Sequence, residues 1–349
     1  MRMLWTGEYD ENWYKKFSSF MEIKRAGLGL TGSIIDKLSE DTLAENLQGV
    51  DVLLIGYDPL TAAVLHRCPD LKLVLSVRDG PEENIDIATC EKLGIPVISS
   101  AGRCTVSVAE YTFLMMLLMA RPVIRMNSIM RRDGWTLENK KMLRGISETS
   151  SELFEKTLGI IGMGRNGRHL AMLAQGFGMR VVGYDPYADA AELKKRGIEL
   201  MELGELMASS DYISILARLT PDSEGLVSRE MISKMKPTAC LINTARAKLL
   251  DTDAALDALE AGTIRMCALD VFDPEPVGNE NRIYHIPEEK LLITPHGAGF
   301  TTERVHHQCK ALYDQYLQFV NGAHPMGCVT RNVYASEGFR LRGGALVRA

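Results

Sequence analysis

No stretch of this 349-residue sequence is long and apolar enough to span a bilayer as one helix. The longest apolar run, Tyr111 to Ala120, is too short for that and reads as a buried helix. The first ten residues, MRMLWTGEYD, contain no apolar core of the kind that marks a secretory signal. Charge of neither sign dominates. The 40 Lys and Arg against 45 Asp and Glu leave a net charge of −5, so no electrostatic reason exists to expect nucleic acid or an anionic membrane as partner. The seven cysteines are odd in number and scattered, and no C-x-x-C occurs. Reduced thiols in a cytoplasmic protein are the simplest account. The histidines show neither H-x-x-x-H nor H-E-x-x-H spacing, so no metal is expected. Adjacent His306 and His307 point to different faces of a helix and read as interface or surface residues. Repeats and low-complexity tracts are absent too.

What remains is an ordinary globular composition, 46% hydrophobic and 24% charged, with length enough for two domains. Short apolar runs alternate with helical patterns throughout, which predicts α/β architecture. Val52–Ile55, Leu73–Ser76 and Ile95–Ile98 read as buried strands, with helices over Thr61–Cys68 and Ile85–Leu93 between them. A long helix is expected from near Val106 to about Met130. Arg131 to Glu155, containing the turn Asp133-Gly134, reads as a polar arm and hinge. Further strands are expected at Leu158–Ile161, Tyr212–Leu216, Ala239–Asn243, Met266–Val271 and Lys290–Thr294. A last helix covers about Thr302 to Val320 and is able to return to the first domain. The tail beyond Val333 has little core-forming content and is expected to be mobile.

Leu158 to Asp185, LGIIGMGRNGRHLAMLAQGFGMRVVGYD, carries the strongest chemical signal. Gly162, Gly164 and Gly167 follow a strand at G-x-G-x-x-G spacing and open a helix. Gly162 permits the tight turn, Gly164 lets a pyrophosphate approach the backbone, and Gly167 lets helix and strand pack closely. The helix N-terminus offers free N–H groups to phosphate. Asp185 lies 18 residues past Gly167, at the end of the next strand. A carboxylate there accepts hydrogen bonds from both ribose hydroxyls and repels a 2′-phosphate, which favours NAD over NADP. Arg165 either covers the pyrophosphate or is a solvated loop residue.

Three more predicted strands end in candidate chemistry. Leu241 to Arg246 is an apolar strand from which an arginine emerges. Ala268 to Pro276, ALDVFDPEP, ends in a loop with three carboxylates. Ile293 to Gly299, ITPHGAG, ends in His296 followed by glycines. In open α/β sheets ligands bind at the carboxyl ends of strands. Planar Arg246 suits a 2-keto acid, whose carboxylate needs fixing and whose carbonyl needs polarising. His296 is the natural proton donor near neutral pH. Glu275 beside it would orient the ring and stabilise imidazolium. Taken singly, each has a plainer reading as a structural histidine, a surface ion-pair partner or an exposed loop residue.

Gly94-Ile95-Pro96-Val97, GRCTVSVAE from Gly102 to Glu110, the glycine-rich loop with Asp185, Leu219-Thr220-Pro221-Asp222, MKPTACLINTAR from Met235 to Arg246, ALDVFDPEP and TPHGAG occur in one order. Over roughly Leu53 to Val320 the chain resembles the D-isomer-specific 2-hydroxyacid dehydrogenases, the family of phosphoglycerate, glycerate/hydroxypyruvate and D-lactate dehydrogenases. The resemblance implies two doubly wound parallel-sheet domains, a Rossmann-type NAD-binding domain (105–304) inserted in a flavodoxin-like substrate domain (1–104 and 305–335), with a tail at 336–349 and the active site in the interdomain cleft. It implies Arg246, Glu275 and His296 as the catalytic set. Cofactor contacts are implied at Val108, Gly162, Gly164, Arg165, Asn166, Gly167, Asp185, Pro186, Leu216, Ala217, Thr244, Ala245, Arg246, Asp270, His296 and Gly299, with Asp270 near the nicotinamide. Substrate contacts are expected at Arg78, Asp79, Gly80, Arg103 and Arg246. It also implies a homodimer through the cofactor domain and the 131–155 arm, where Trp135 either reaches toward a partner's cleft or pins the arm.

The chain departs from the family in places. Its substrate loop reads Arg78-Asp79-Gly80-Pro81, and Asp79 either faces inward as a negative charge or faces solvent with Arg78 offsetting it. Cys104 stands where asparagine commonly caps a helix, Ala101 where proline is frequent, Leu216 where histidine is frequent. Ala247-Lys248 replaces a glycine-rich pair, which makes Lys248 a candidate extra cation, with Arg218 another. These put substrate identity in question more than reaction type. Two alternatives are an NAD-sensing corepressor-like binding protein on the same fold, and a formate dehydrogenase, whose relatives carry glutamine in place of Glu275.

Overall fold

The computed structural model describes residues 1–330 and Val333; the expected C-terminal tail lies outside the described residues. The chain divides into two compact units, residues 1–104 together with the segment from 301, and residues 105–300.

The first unit is built on five parallel strands: β1 (Arg2–Trp5), β2 (Glu22–Arg25), β3 (Val52–Ile55), β4 (Leu73–Ser76) and β5 (Val97–Ser99). Their order is β2-β1-β3-β4-β5, the flavodoxin-like arrangement. The continuous apolar runs at β3 and β4 are buried on both faces, as a helix-covered parallel sheet requires. The first two strands escaped the sequence reading. β2 is a half-polar edge strand with no buried residue. On one face Leu53, Val74 and Val97 form a core with Leu43 and Val64. On the other the helices Glu11–Ser18 and Arg304–Val320 cover Trp5 and Leu54 with Trp13, Phe17, Leu312 and Tyr316.

The second unit holds seven parallel strands: β6 (Thr157–Ile161), β7 (Arg180–Tyr184), β8 (Glu199–Leu200), β9 (Tyr212–Ile215), β10 (Cys240–Asn243), β11 (Met266–Leu269) and β12 (Leu291–Ile293). The order β12-β11-β10-β9-β6-β7-β8 runs outward in both directions from the β9/β6 pair. That doubly wound order places a switch point where β6 and β9 lie side by side, and a crevice opens at their carboxyl ends.

One expectation fails here. The long helix from Val106 to Met130 is two helices, Thr105–Ala120 and Val123–Asp133, bent by 62° at Arg121-Pro122. Pro122 has no N–H to continue the ladder and disfavours helical backbone at Arg121. The first helix buries Thr112, Phe113, Met115, Met116 and Met119 against the unit's core, and Phe113 meets Phe177 edge-on at 4.7 Å. The arm is likewise more regular than expected. Gly134 turns the chain at φ +69, and a helix follows from Leu137 to Glu148. Thr136 and Asn139 cap it reciprocally. Among the described residues no single helix is long and apolar enough to cross a membrane.

Candidate active site

At the carboxyl end of β6 the three glycines have separate steric reasons. Gly162 adopts φ +100, and a Cβ there would sit 2.5 Å from the Ala217 nitrogen. Any side chain would push Leu216–Ala217, at the end of β9, away from the turn. A Cβ on Gly167 would lie 2.1 Å from the Gly162 carbonyl oxygen. A Cβ on Gly164 would meet nothing within 4 Å, so its backbone faces open space. The helix Arg165–Gly176 starts there with no side-chain cap, and its first N–H groups lack intrahelical acceptors. Asn166 is half-buried and Arg165 exposed beside them. At the end of β7, one Asp185 oxygen accepts from the Met163 N–H and the other from the Tyr187 N–H, each at 2.9 Å. Each oxygen keeps a lone pair for a hydroxyl donor. An open glycine turn, an uncapped helix start and a carboxylate one strand over fit the pyrophosphate and ribose of a dinucleotide. Pro186 is exposed next to Asp185.

The neighbouring strand ends carry the remaining candidates. Thr244 is buried beyond β10, and its hydroxyl pairs with that of Thr112 at 2.7 Å. Val108, one turn earlier on the same helix, accepts the Thr112 hydroxyl through its carbonyl. Thr112 was not anticipated, because it meets Thr244 across 132 residues of sequence. Ala245 is half-buried, and its N–H donates to the Asn243 side chain. The Arg246 side chain is exposed, and its Nη1 donates to the Ala245 carbonyl. Lys248 is not a spare cation; it faces Asp273 at 3.7 Å.

Beyond β11 and β12 two loops close on each other. His296 Nδ1 lies 2.7 Å from Glu275 Oε2, while Glu275 Oε1 accepts the Phe272 N–H at 2.8 Å. The glutamate is thus held at one oxygen and offers the other to the ring. With Nδ1–H donating to Glu275, the ring's Nε2 is left to face a reactant. His296 itself sits at φ +51, a left-handed conformation uncommon for a residue with a Cβ. Asp270 explains how that conformation is kept. It is fully buried, its Oδ1 accepts from the Thr294 hydroxyl at 2.6 Å and the Gly297 N–H at 2.8 Å, and its Oδ2 accepts from the Ala298 N–H at 3.0 Å. Three donors from 294–298 therefore grip one carboxylate, and His296 rides on the gripped loop. Gly299 follows, half-buried.

The residues expected to meet substrate in the first unit are placed as follows. Arg78 pairs with Glu83 and lies over the Tyr57 ring at 5.2 Å. Asp79 is exposed, and Gly80 precedes the short helical turn Pro81–Glu83. Arg103 donates to the Gln308 side chain at 2.6 Å. Glu83 and Gln308 were missed; nothing in the local sequence marks either as an arginine's partner.

Comparisons with known proteins bear on the family and the fold. Residues 113–298 match the model of the D-isomer specific 2-hydroxyacid dehydrogenase, NAD binding domain. The chain is 30% identical over 296 residues to a glyoxylate reductase of Korarchaeum cryptofilum, covering 84% of this chain and 87% of that one. It is 34% identical over 268 residues to a D-3-phosphoglycerate dehydrogenase of Methanocaldococcus jannaschii, covering 76% of this chain and 49% of that protein. It thus spans about half the length of the phosphoglycerate dehydrogenases it matches. The crystal structure of a D-lactate dehydrogenase from Aquifex aeolicus, complexed with NAD and lactic acid, superposes with a TM-score of 0.73 at 28% identity, covering 95% of this chain and 99% of that one. The larger unit is accordingly an NAD-binding domain, and the chain belongs to the D-isomer specific 2-hydroxyacid dehydrogenase family.

Proposed function

We propose that the protein is an NAD-dependent oxidoreductase interconverting a D-2-hydroxy acid and its 2-keto acid. The observation that carries this is the His296–Glu275 pair at 2.7 Å, at the carboxyl edge of the sheet whose glycine turn and Asp185 fit a dinucleotide. Gly162, Gly164, Asn166, Gly167 and Asp185 would hold the cofactor, which when bound supplies or takes the hydride at C2. For reduction, His296 gives the proton on Nε2 to the carbonyl oxygen, so hydride and proton together convert C=O to CH–OH. For oxidation, neutral His296 removes the hydroxyl proton. Glu275 keeps the ring in the orientation and tautomer that present Nε2, and offsets the charge of imidazolium. Arg246 binds the carboxylate and polarises the carbonyl through paired N–H groups. Asp270 fixes the loop that carries His296.

We further read the protein as a homodimer through the larger unit. The helices Val123–Asp133 and Leu137–Glu148, with the turn between them, expose Val123, Ile124, Trp135 and Leu137 together, more apolar surface than a monomer's arm needs. Light scattering on the purified chain reads this directly, and a monomeric mass would refute it.

The function is tested by following NADH absorbance with glyoxylate, pyruvate, hydroxypyruvate, phosphohydroxypyruvate and branched 2-keto acids, beside NADPH controls. Turnover with NADH on at least one is expected. His296→Ala should cut kcat by roughly 10²- to 10⁴-fold while NADH still binds. Near-normal turnover in that variant would remove His296 from the proposed role.

A further inference from the structure

The bend at Pro122 ends the helix Thr105–Ala120 and takes the usual donors away from its last carbonyls. In an unbroken helix the Val123 N–H would reach the Met119 carbonyl. Here it donates to the Arg121 carbonyl instead, at 2.7 Å. The freed carbonyls find donors from other parts of the chain. Ala120 accepts the Ser151 N–H at 2.9 Å, and Met119 accepts Arg265 Nη2 at 2.8 Å. A cation at a helix carboxyl terminus also meets the negative end of the helix dipole.

Arg265 stands immediately before β11, at the amino edge of the larger sheet and so opposite the edge that carries the glycine turn and His296. Its N–H donates to the Ala239 carbonyl at 2.9 Å, which fixes its backbone beside the start of β10. The side chain is half-buried and touches more than Met119. Nη1 lies 3.4 Å from the Ser151 hydroxyl and Nη2 lies 3.5 Å from the Tyr212 hydroxyl, which is itself 3.3 Å from Ser151 Oγ. Met119 and Ser151 flank the arm, so one guanidinium holds both of its ends. The arm brings few anchors of its own. Its helices have 11 and 12 residues, too short to be stable in water by themselves. Each buries one apolar residue, Ile129 and Ile146, and neither of these lies in the apolar cores of the larger unit.

We propose that Arg265 is the anchor of the arm. By capping the helix that enters the arm and holding the residue that leaves it, Arg265 sets the direction in which 121–150 projects. It thereby sets how the exposed Val123, Ile124, Trp135 and Leu137 are presented. The consequence for self-association rests on the homodimer reading above; the anchoring does not.

Hydrogen exchange of the whole chain, followed by mass spectrometry, tests this. In Arg265→Met the amides of 123–148 should exchange at least about tenfold faster than in wild type, while those of 158–185 keep their rates. Arg265→Lys should restore part of the protection, since an ammonium can still reach the Met119 carbonyl. NADH binding, read by its fluorescence, should persist in both, because the glycine turn and Asp185 lie at the opposite edge of the sheet. Should Arg265→Met fail to fold, Arg265→Lys and Ser151→Ala carry the same comparison with gentler changes, and each should loosen 123–148 alone. Light scattering over a concentration series should show dimerisation of Arg265→Met weakened about tenfold or more. A monomeric wild type, or a dimer of unchanged strength with a loosened arm, counts against the homodimer reading and leaves the anchor standing. Equal exchange of 123–148 in wild type and all the variants, or loosening that spreads equally to 158–185, overturns the proposal.

Discussion

Asp270→Asn is the substitution whose cost can be worked most directly from the structure. The side chain is fully buried and accepts three hydrogen bonds. An asparagine amide oxygen in place of Oδ1 keeps the Thr294 and Gly297 donors, but its NH₂ then faces the Ala298 N–H. One charge-assisted bond is lost, about 1.5–3 kcal/mol, and the two retained bonds pass to a neutral acceptor, roughly 0.5 kcal/mol each. The expected destabilisation is therefore about 2.5–4 kcal/mol. Asp270→Ala strands all three donors and should cost about 3–5 kcal/mol, the range for breaking a buried charged network by removing one partner. Urea unfolding followed by circular dichroism measures both. The loop also positions His296 at φ +51. Loosening it should lower kcat about 10- to 100-fold, since misplacement by an ångström costs on that order. A loss of less than about 1 kcal/mol in Asp270→Asn would refute the reasoning, because it would mean that the carboxylate's charge contributes nothing to holding 294–298.

Asp185→Ala should narrow the preference for NADH over NADPH by about tenfold, one hydrogen-bonded carboxylate's share; an unchanged ratio of kcat/KM values would remove Asp185 from ribose recognition. Asp211 supports a pH prediction. Burial pushes its carboxyl up, but the Thr157 N–H and Lys236 Nζ, each at 2.9 Å, more than reverse that, and the group lies below the ordinary carboxylate range. A lowered folded pKa adds stability above the unfolded value that is lost as pH falls through the folded one. Asp211→Asn should therefore cost about 1–2 kcal/mol at neutral pH. The deficit should close as pH drops below the carboxylate range, and one that persists in acid would contradict the assignment. Thiol labelling of the native protein should stop at Cys104 and Cys328, because the other five cysteines are buried. Burial pushes the Cys240 thiol up to about 11, so it should react only after unfolding.

How far the sequence could be read depended on whether the deciding interactions were local. The strands β3 and β4 were legible to the residue because a strand buried on both faces has to be an unbroken apolar run. The edge strand β2, Glu22-Ile23-Lys24-Arg25, pairs on one side only, with β1, and carries no continuous apolar run. Pro122 did carry a signal, but the apolar pattern on either side of it outweighed one helix breaker, so the bend was lost. At the site the same division holds. Residue types and strand-end positions of Arg246, Glu275 and His296 follow from spacing, because each terminates its own βα unit. What tunes them lies across the fold. Asp270 takes donors up to 28 residues away, Thr112 meets Thr244 across 132, and Arg103 meets Gln308 across 205. A spacing motif records which backbone turn presents a group, whereas the group's charge balance is settled by partners that share no local pattern with it. Arg78 and Arg103 illustrate the consequence. Both read as cations ready for an acidic ligand, yet Glu83 already holds the first and the neutral amide of Gln308 the second. Substrate charge in this family member is therefore a question for the partners of its arginines more than for their number.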